Sequence, residues 1–145
     1  MPEDLSYFIW NKGDIYFLNK EKTFSTKEFT CHCSFKECKE QKVSKLLIEQ
    51  LTQLRKDVNE PITVTSGFRC SKYQEKLRSD GINTVVAKKS SHELGNAADI
   101  TPTRMKIKDF LAFCEKKFKA IGIAKTFLHV DTRGQDDQRI RRWNY

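Results

Sequence analysis

Hydrophobic positions recur along this chain in two periods. From Ser44 onward, Leu47, Leu51, Leu54 and Val58 fall on one face of a 3.6-residue helix with Leu46 beside it, while Lys45, Glu49 and Lys56 face water. The Ser44 hydroxyl can accept from a free first-turn amide, so the pattern predicts a helix from Ser44 to about Val58. Ile107, Phe110, Leu111, Cys114 and Phe118 form a second apolar stripe, with Thr103 placed to cap it and Cys114 as a small buried hydrophobe. Ser71 to Arg78 reads as a shorter helix. Period two appears in Ile62-Thr63-Val64-Thr65 after Pro61, and Ala97 to Ile100 and Ile121 to Ile123 supply further strand material. Between Phe127 and Asp131, alternation puts Phe127, His129 and Asp131 on one face and Leu128 and Val130 on the other. Near the start, Tyr7-Phe8-Ile9-Trp10 and Ile15-Tyr16-Phe17-Leu18 flank a turn at Asn11 to Asp14, as a hairpin or as two straps packed on the domain. The expectation is an α+β fold, a central antiparallel sheet with flanking helices. No repeat or low-complexity stretch interrupts residues 1–145, so they read as one domain.

Composition narrows the class. A chain of 145 residues removes roughly two-thirds of its unfolded surface from water. With 38% hydrophobic and 32% charged residues and no apolar run long enough to span a membrane, it reads as globular. Met1-Pro2-Glu3-Asp4 lacks a basic leader followed by an apolar core, so the expectation is export by lysis, a phage pore or another route. A net charge of +8 favours anionic surroundings: nucleic acid, membrane surface or cell-wall polymer. Lys and Arg are scattered and no nucleic-acid-binding motif accompanies them, which leaves nucleic-acid binding as the third-ranked reading. A monomer is expected.

The chemistry gathers in Ser90-Ser91-His92-Glu93-Leu94-Gly95-Asn96-Ala97-Ala98-Asp99-Ile100. An imidazole and a carboxylate lie seven positions apart with small residues between them, and His129 brings a second imidazole on a strand. His92, Asp99 and His129 would supply two nitrogens and one oxygen, leaving a fourth tetrahedral position for water, as in a catalytic zinc centre. The helical zinc-protease motif is excluded, because it needs a second His four residues after the first and position 96 is Asn. The third histidine, His32, falls elsewhere, in Cys31-His32-Cys33-Ser34-Phe35-Lys36-Glu37-Cys38. Three thiols and an imidazole there could hold a second, structural zinc, with Cys70 as a further ligand. A Cys33–Cys70 disulfide in an oxidising setting and separate reduced thiols are the alternatives.

Ser90-x-His92-x-x-Gly95-x-Ala97-x-Asp99, followed by His129-x-Asp131, resembles the zinc D-Ala-D-Ala carboxypeptidases and the related L-Ala-D-Glu endopeptidases of bacterial cell walls and phage endolysins. The resemblance spans roughly residues 24 to 143 and implies a hedgehog/DD-peptidase-like fold. It implies zinc on His92, Asp99 and His129 and a peptidoglycan peptide as substrate. Ser66-Gly67-Phe68-Arg69 is similar to the family's Ser-Gly-Tyr-Arg segment. That similarity gives Arg69 the role of holding a substrate carboxylate or stabilising an oxyanion. Ser90 would position substrate, and Glu93 is a rim residue. Many relatives carry an acidic general base three residues before the last ligand, where this chain has Thr126. Asp131 is the substitute that strand geometry offers, with orienting a neighbouring residue as its competing role. The basic end from Arg133 to Trp143 either rims a substrate groove or packs Trp143 on the core. The expected function is peptidoglycan peptide hydrolysis, with phage-type endopeptidase cleavage preferred, and the alternative is a catalytically weak zinc-bound wall-binding or structural module.

Overall fold

The computed structural model describes residues 6–79, 91–132 and 141–144, with the backbone alone at Arg78 and Arg141. Its elements run β1 (Tyr7–Asn11), α1 (Thr26–Phe29), β2 (Glu40–Ser44), α2 (Lys45–Val58), β3 (Ile62–Ser66), α3 (Ser71–Ser79), β4 (Ala97–Pro102), α4 (Ile107–Cys114), β5 (Ala120–Ile123), β6 (Leu128–Asp131) and β7 (Arg141–Asn144). A five-stranded sheet ordered β3-β4-β6-β5-β7 carries the domain, antiparallel throughout except for the parallel β5/β7 pair. This is the expected small α+β domain, with helices against the sheet.

Helix α2 starts where the apolar stripe does. Ser44 Oγ accepts the Leu47 amide at 3.2 Å, a cap that stabilises a helix by about 1 kcal/mol. Asn59 closes the other end in the left-handed region at φ 54°, ψ 38°. Leu47, Leu51 and Leu54 are fully buried and meet Phe110 and Cys114 of α4 together with Ile100, Leu128 and Val130 of the sheet in one core. Alternation in β4 and β6 therefore assigns the faces: Ala98, Ile100, Leu128 and Val130 turn into the core. Asp99 and His129, paired across the two strands, turn to the opposite face.

Of the two forms left open for the N-terminal segment, the described residues do not form the hairpin: β1 pairs antiparallel with β2, from Tyr7 opposite Ser44 to Asn11 opposite Glu40. Phe17 makes only an isolated bridge to Ser25. Helix α4 is shorter than its apolar stripe, ending at Cys114, and Thr103 does not cap it. The Thr103 amide instead donates to Glu60 Oε2, which with Oε1 also receives the Arg104 and Met105 amides. One carboxylate thus binds the turn that precedes the helix and holds it outside the helical ladder.

The small β1/β2 sheet braces the chain beside the His92 turn. The Ser44 amide donates to Gly95 O at 2.7 Å, and Tyr7 donates its hydroxyl hydrogen to Asn96 Oδ1 at 3.0 Å. Gly95 is glycine for two reasons. Its φ is +75°, and a Cβ there would stand 3.0 Å from both the carbonyl oxygen and Cγ of Lys42.

Candidate metal centre

Three separate pieces of backbone deliver the three donors. His92 sits in the turn Ser91 to Gly95, closed by Gly95 N to His92 O and Asn96 N to Ser91 O and fastened to the β3 side by Arg69 N to His92 O. Asp99 comes from β4, and His129 from the paired position on β6. His92 Nε2 lies 3.2 Å from His129 Nδ1 and 3.3 Å from Asp99 Oδ1, and His129 Nδ1 lies 3.1 Å from the same oxygen. Donor atoms about 2.0–2.1 Å from a tetrahedral zinc ion stand about 3.3 Å apart, so the triangle has the dimensions that zinc requires. All three residues are buried, with at most 6% of their surface exposed.

The other nitrogen of each imidazole is already committed. Gly67 O, which can only accept, is 2.7 Å from His92 Nδ1, so Nδ1 carries the proton and Nε2 turns its lone pair to the centre. His129 Nε2 lies 2.8 Å from Asp131 Oδ2, which leaves Nδ1 as its inward atom. Imidazoles that ligate metals are held in this manner by outer carboxylates and carbonyls. Gly67 is needed for the first contact: a Cβ there would come within 2.6 Å of the Phe29 Cα, so only glycine lets the turn lie against α1.

Burial would ordinarily raise the Asp99 carboxyl, yet the adjacent His129 and His92 outweigh it and hold the group well below the usual carboxylate range. Burial lowers His92 against the opposing pull of Asp99, favouring neutral imidazole. For His129 burial is outweighed by Asp131 and Asp99, which together raise it. An ionised oxygen beside one neutral and one readily polarised imidazole is a donor set suited to a divalent cation.

Arg69 reaches the same place. Its Nη2 is 3.3 Å from Asp99 Oδ2, its Nε donates to Ser66 Oγ at 3.2 Å, and its Nη1 donates to Gln74 Oε1 at 3.3 Å. Asp131 is fully buried behind His129. Glu93 stands at the rim, where Oε2 accepts from the Ser71 hydroxyl at 3.1 Å. Thr126 is exposed on the β5–β6 turn, its carbonyl taken by Thr101 Oγ1. Ser90, the expected substrate-positioning residue, lies outside the described residues, as does the basic stretch from Arg133 to Ile140. His32 is exposed and stands apart from the second donor group, Cys31, Cys33, Cys38 and Cys70.

Sequence reasoning missed how Trp143 enters the site. His129, Gly122 and Trp143 occupy one row across β6, β5 and β7. Gly122 has no side chain, so the indole reaches across it to the His129 ring at 5.4 Å between centroids. The signal was present in Ile121-Gly122-Ile123, since glycine inside a strand marks close approach by another group. Trp143 is thus half-buried against the flank of the His129 ring rather than in the core. Gln74 and Gly67, which hold Arg69 and His92, were also missed.

A sequence model of the family described as peptidase M15 matches residues 22–131, a span that includes His92, Asp99, His129, Arg69 and Asp131. No curated protein and no solved structure matches the chain. Among the described residues, no helix is long and apolar enough to cross a membrane.

Proposed function

Because the chain belongs to the peptidase M15 family of zinc metallopeptidases, we propose that it hydrolyses a peptide bond in the stem peptides of peptidoglycan. The observation that carries this reading is the triangle of His92 Nε2, Asp99 Oδ1 and His129 Nδ1 at zinc-ligand spacing, with the outer nitrogen of each imidazole tied to Gly67 or Asp131. When bound, zinc supplies a Lewis acid that polarises a carbonyl oxygen and acidifies water at neutral pH. The chain's own residues do the rest. Asp99 and the two imidazoles fix the donors, and burial of all three excludes competing water. Arg69, anchored through Asp99, Ser66 and Gln74, presents a guanidinium beside the donors for a substrate carboxylate or for charge developing on the scissile carbonyl. The net charge of +8 favours approach to anionic wall polymers.

We assign Asp131 to orienting His129 rather than to general-base catalysis. Support comes from its full burial and from the 2.8 Å bond to Nε2, the side of the imidazole away from Asp99 and His92. Asp131→Asn is expected to weaken zinc binding about ten- to a hundredfold. Activity should fall in parallel and recover as zinc is raised. A general base would behave otherwise: its loss costs about a hundred- to ten-thousandfold at full zinc occupancy and removes a limb of the pH–rate profile.

The test of the function is digestion of purified peptidoglycan by the zinc-loaded chain, with released ends identified by mass spectrometry. New D-Ala ends denote carboxypeptidase action, and L-Ala or D-Glu ends denote the endopeptidase. Stoichiometric zinc without new ends would replace this reading with a wall-binding module, which the exposed Thr126 at the usual place of the acidic base favours.

A further inference from the structure

A second group of donors lies outside the peptidase site. Cys31, Cys33 and Cys38 come from the segment between α1 and β2, and Cys70 from the turn after β3. Their four sulfur atoms all lie within 4.8 Å of one another. Cys70 Sγ is 3.8 Å from Cys31 Sγ and 3.6 Å from Cys33 Sγ. Sulfur atoms about 2.3 Å from a tetrahedral zinc ion stand about 3.8 Å apart, so these two edges match a closed four-thiolate site.

The surroundings suit thiolates. Cys31 Sγ accepts the Cys70 amide at 3.4 Å, Cys38 Sγ accepts from Gln41 Nε2 at 3.3 Å, and Cys33 Sγ lies 3.5 Å from Lys12 Nζ. Gln41 is a fully buried polar residue on β2, and its Oε1 accepts the Cys31 amide at 2.7 Å. One amide side chain therefore supports two of the four cysteines, which explains why a glutamine occupies the inner face of that strand.

We infer that Cys31, Cys33, Cys38 and Cys70 hold a second, structural zinc ion. Binding releases the four thiol protons to solvent and leaves a centre of net charge −2, which Lys12 and the N–H donors offset. The ion fastens the Cys31 to Cys38 segment to the turn containing Gly67 and Arg69. Gly67 O holds His92, and Arg69 holds Asp99, so this centre sets the backbone on which two peptidase-site residues depend. The inference does not require peptidase activity.

The test uses the full chain purified under reducing conditions. Metal analysis is expected to find two zinc ions per chain, falling to one in His129→Ala. Cobalt(II) substituted into His129→Ala is expected to give intense near-ultraviolet thiolate-to-metal charge transfer, which a centre of nitrogen and oxygen donors would not produce. In the unaltered chain, iodoacetamide should modify Cys31, Cys33, Cys38 and Cys70 only after a chelator is added, a readout that needs no folded cysteine variant. One zinc per chain that disappears with His129→Ala, absence of the thiolate band, or modification of the four cysteines by iodoacetamide before any chelator is added would each overturn the inference.

Discussion

His129→Ala is expected to empty the peptidase site and to abolish peptidoglycan cleavage, with zinc content falling by one ion per chain. The loss follows from two positions of one side chain. Nδ1 is one corner of the donor triangle, so its removal leaves His92 and Asp99, too few donors for a tight catalytic zinc site. Water then keeps a pKa about nine units above that of water on a catalytic zinc, and cleavage falls on the order of ten-thousandfold or more. Nε2 is the partner of Asp131, which is fully buried, so the variant also leaves a carboxylate with a lost hydrogen bond, at a cost of about 1–3 kcal/mol or more. Circular dichroism and a thermal melt separate that loss of stability from loss of chemistry. A folded variant that keeps its full zinc content and still cleaves would place the chemistry elsewhere.

Local periodicity makes half of this site legible in the sequence alone. Alternation in Phe127 to Asp131 places His129 and Asp131 together, and β6 does bring the Asp131 carboxylate to His129 Nε2. The same argument places Asp99 on a short strand. It does not say that Asp99 and His129 occupy one register pair, because pairing is set by the turns and the core rather than by either strand. The apolar stripe of α2 and its Ser44 cap are legible for the same local reason. Strand β2 is not: Glu40-Gln41-Lys42 is polar, and its order comes from the distant Tyr7 to Asn11 segment and from cysteines that enclose Gln41. The carbonyl of Gly67 is equally invisible, since a backbone oxygen has no residue code. What marks it is the glycine itself, whose missing Cβ lets Phe29 approach.

Arg69→Ala is expected to lower turnover about a hundred- to a thousandfold, the range for loss of one preorganised oxyanion donor. Three of the five guanidinium N–H donors serve Asp99, Ser66 and Gln74, so the group is held in place before substrate arrives and little reorganisation is required of it. Its side chain is 16% exposed, enough to be reached from the open side of the site and little enough that water screens it weakly. Arg69→Lys is expected to rescue little, because one ammonium cannot reproduce three directed bonds and still face a substrate. Two other roles predict different numbers. If Arg69 only steadies Asp99, zinc affinity falls and the zinc-saturated variant turns over normally. If it only captures a terminal carboxylate, KM rises while kcat stays within a few-fold, and substrates without that carboxylate are unaffected. A fall in kcat at full zinc occupancy, shared by substrates with and without a free carboxylate, identifies the guanidinium with the charge that develops as the peptide bond breaks.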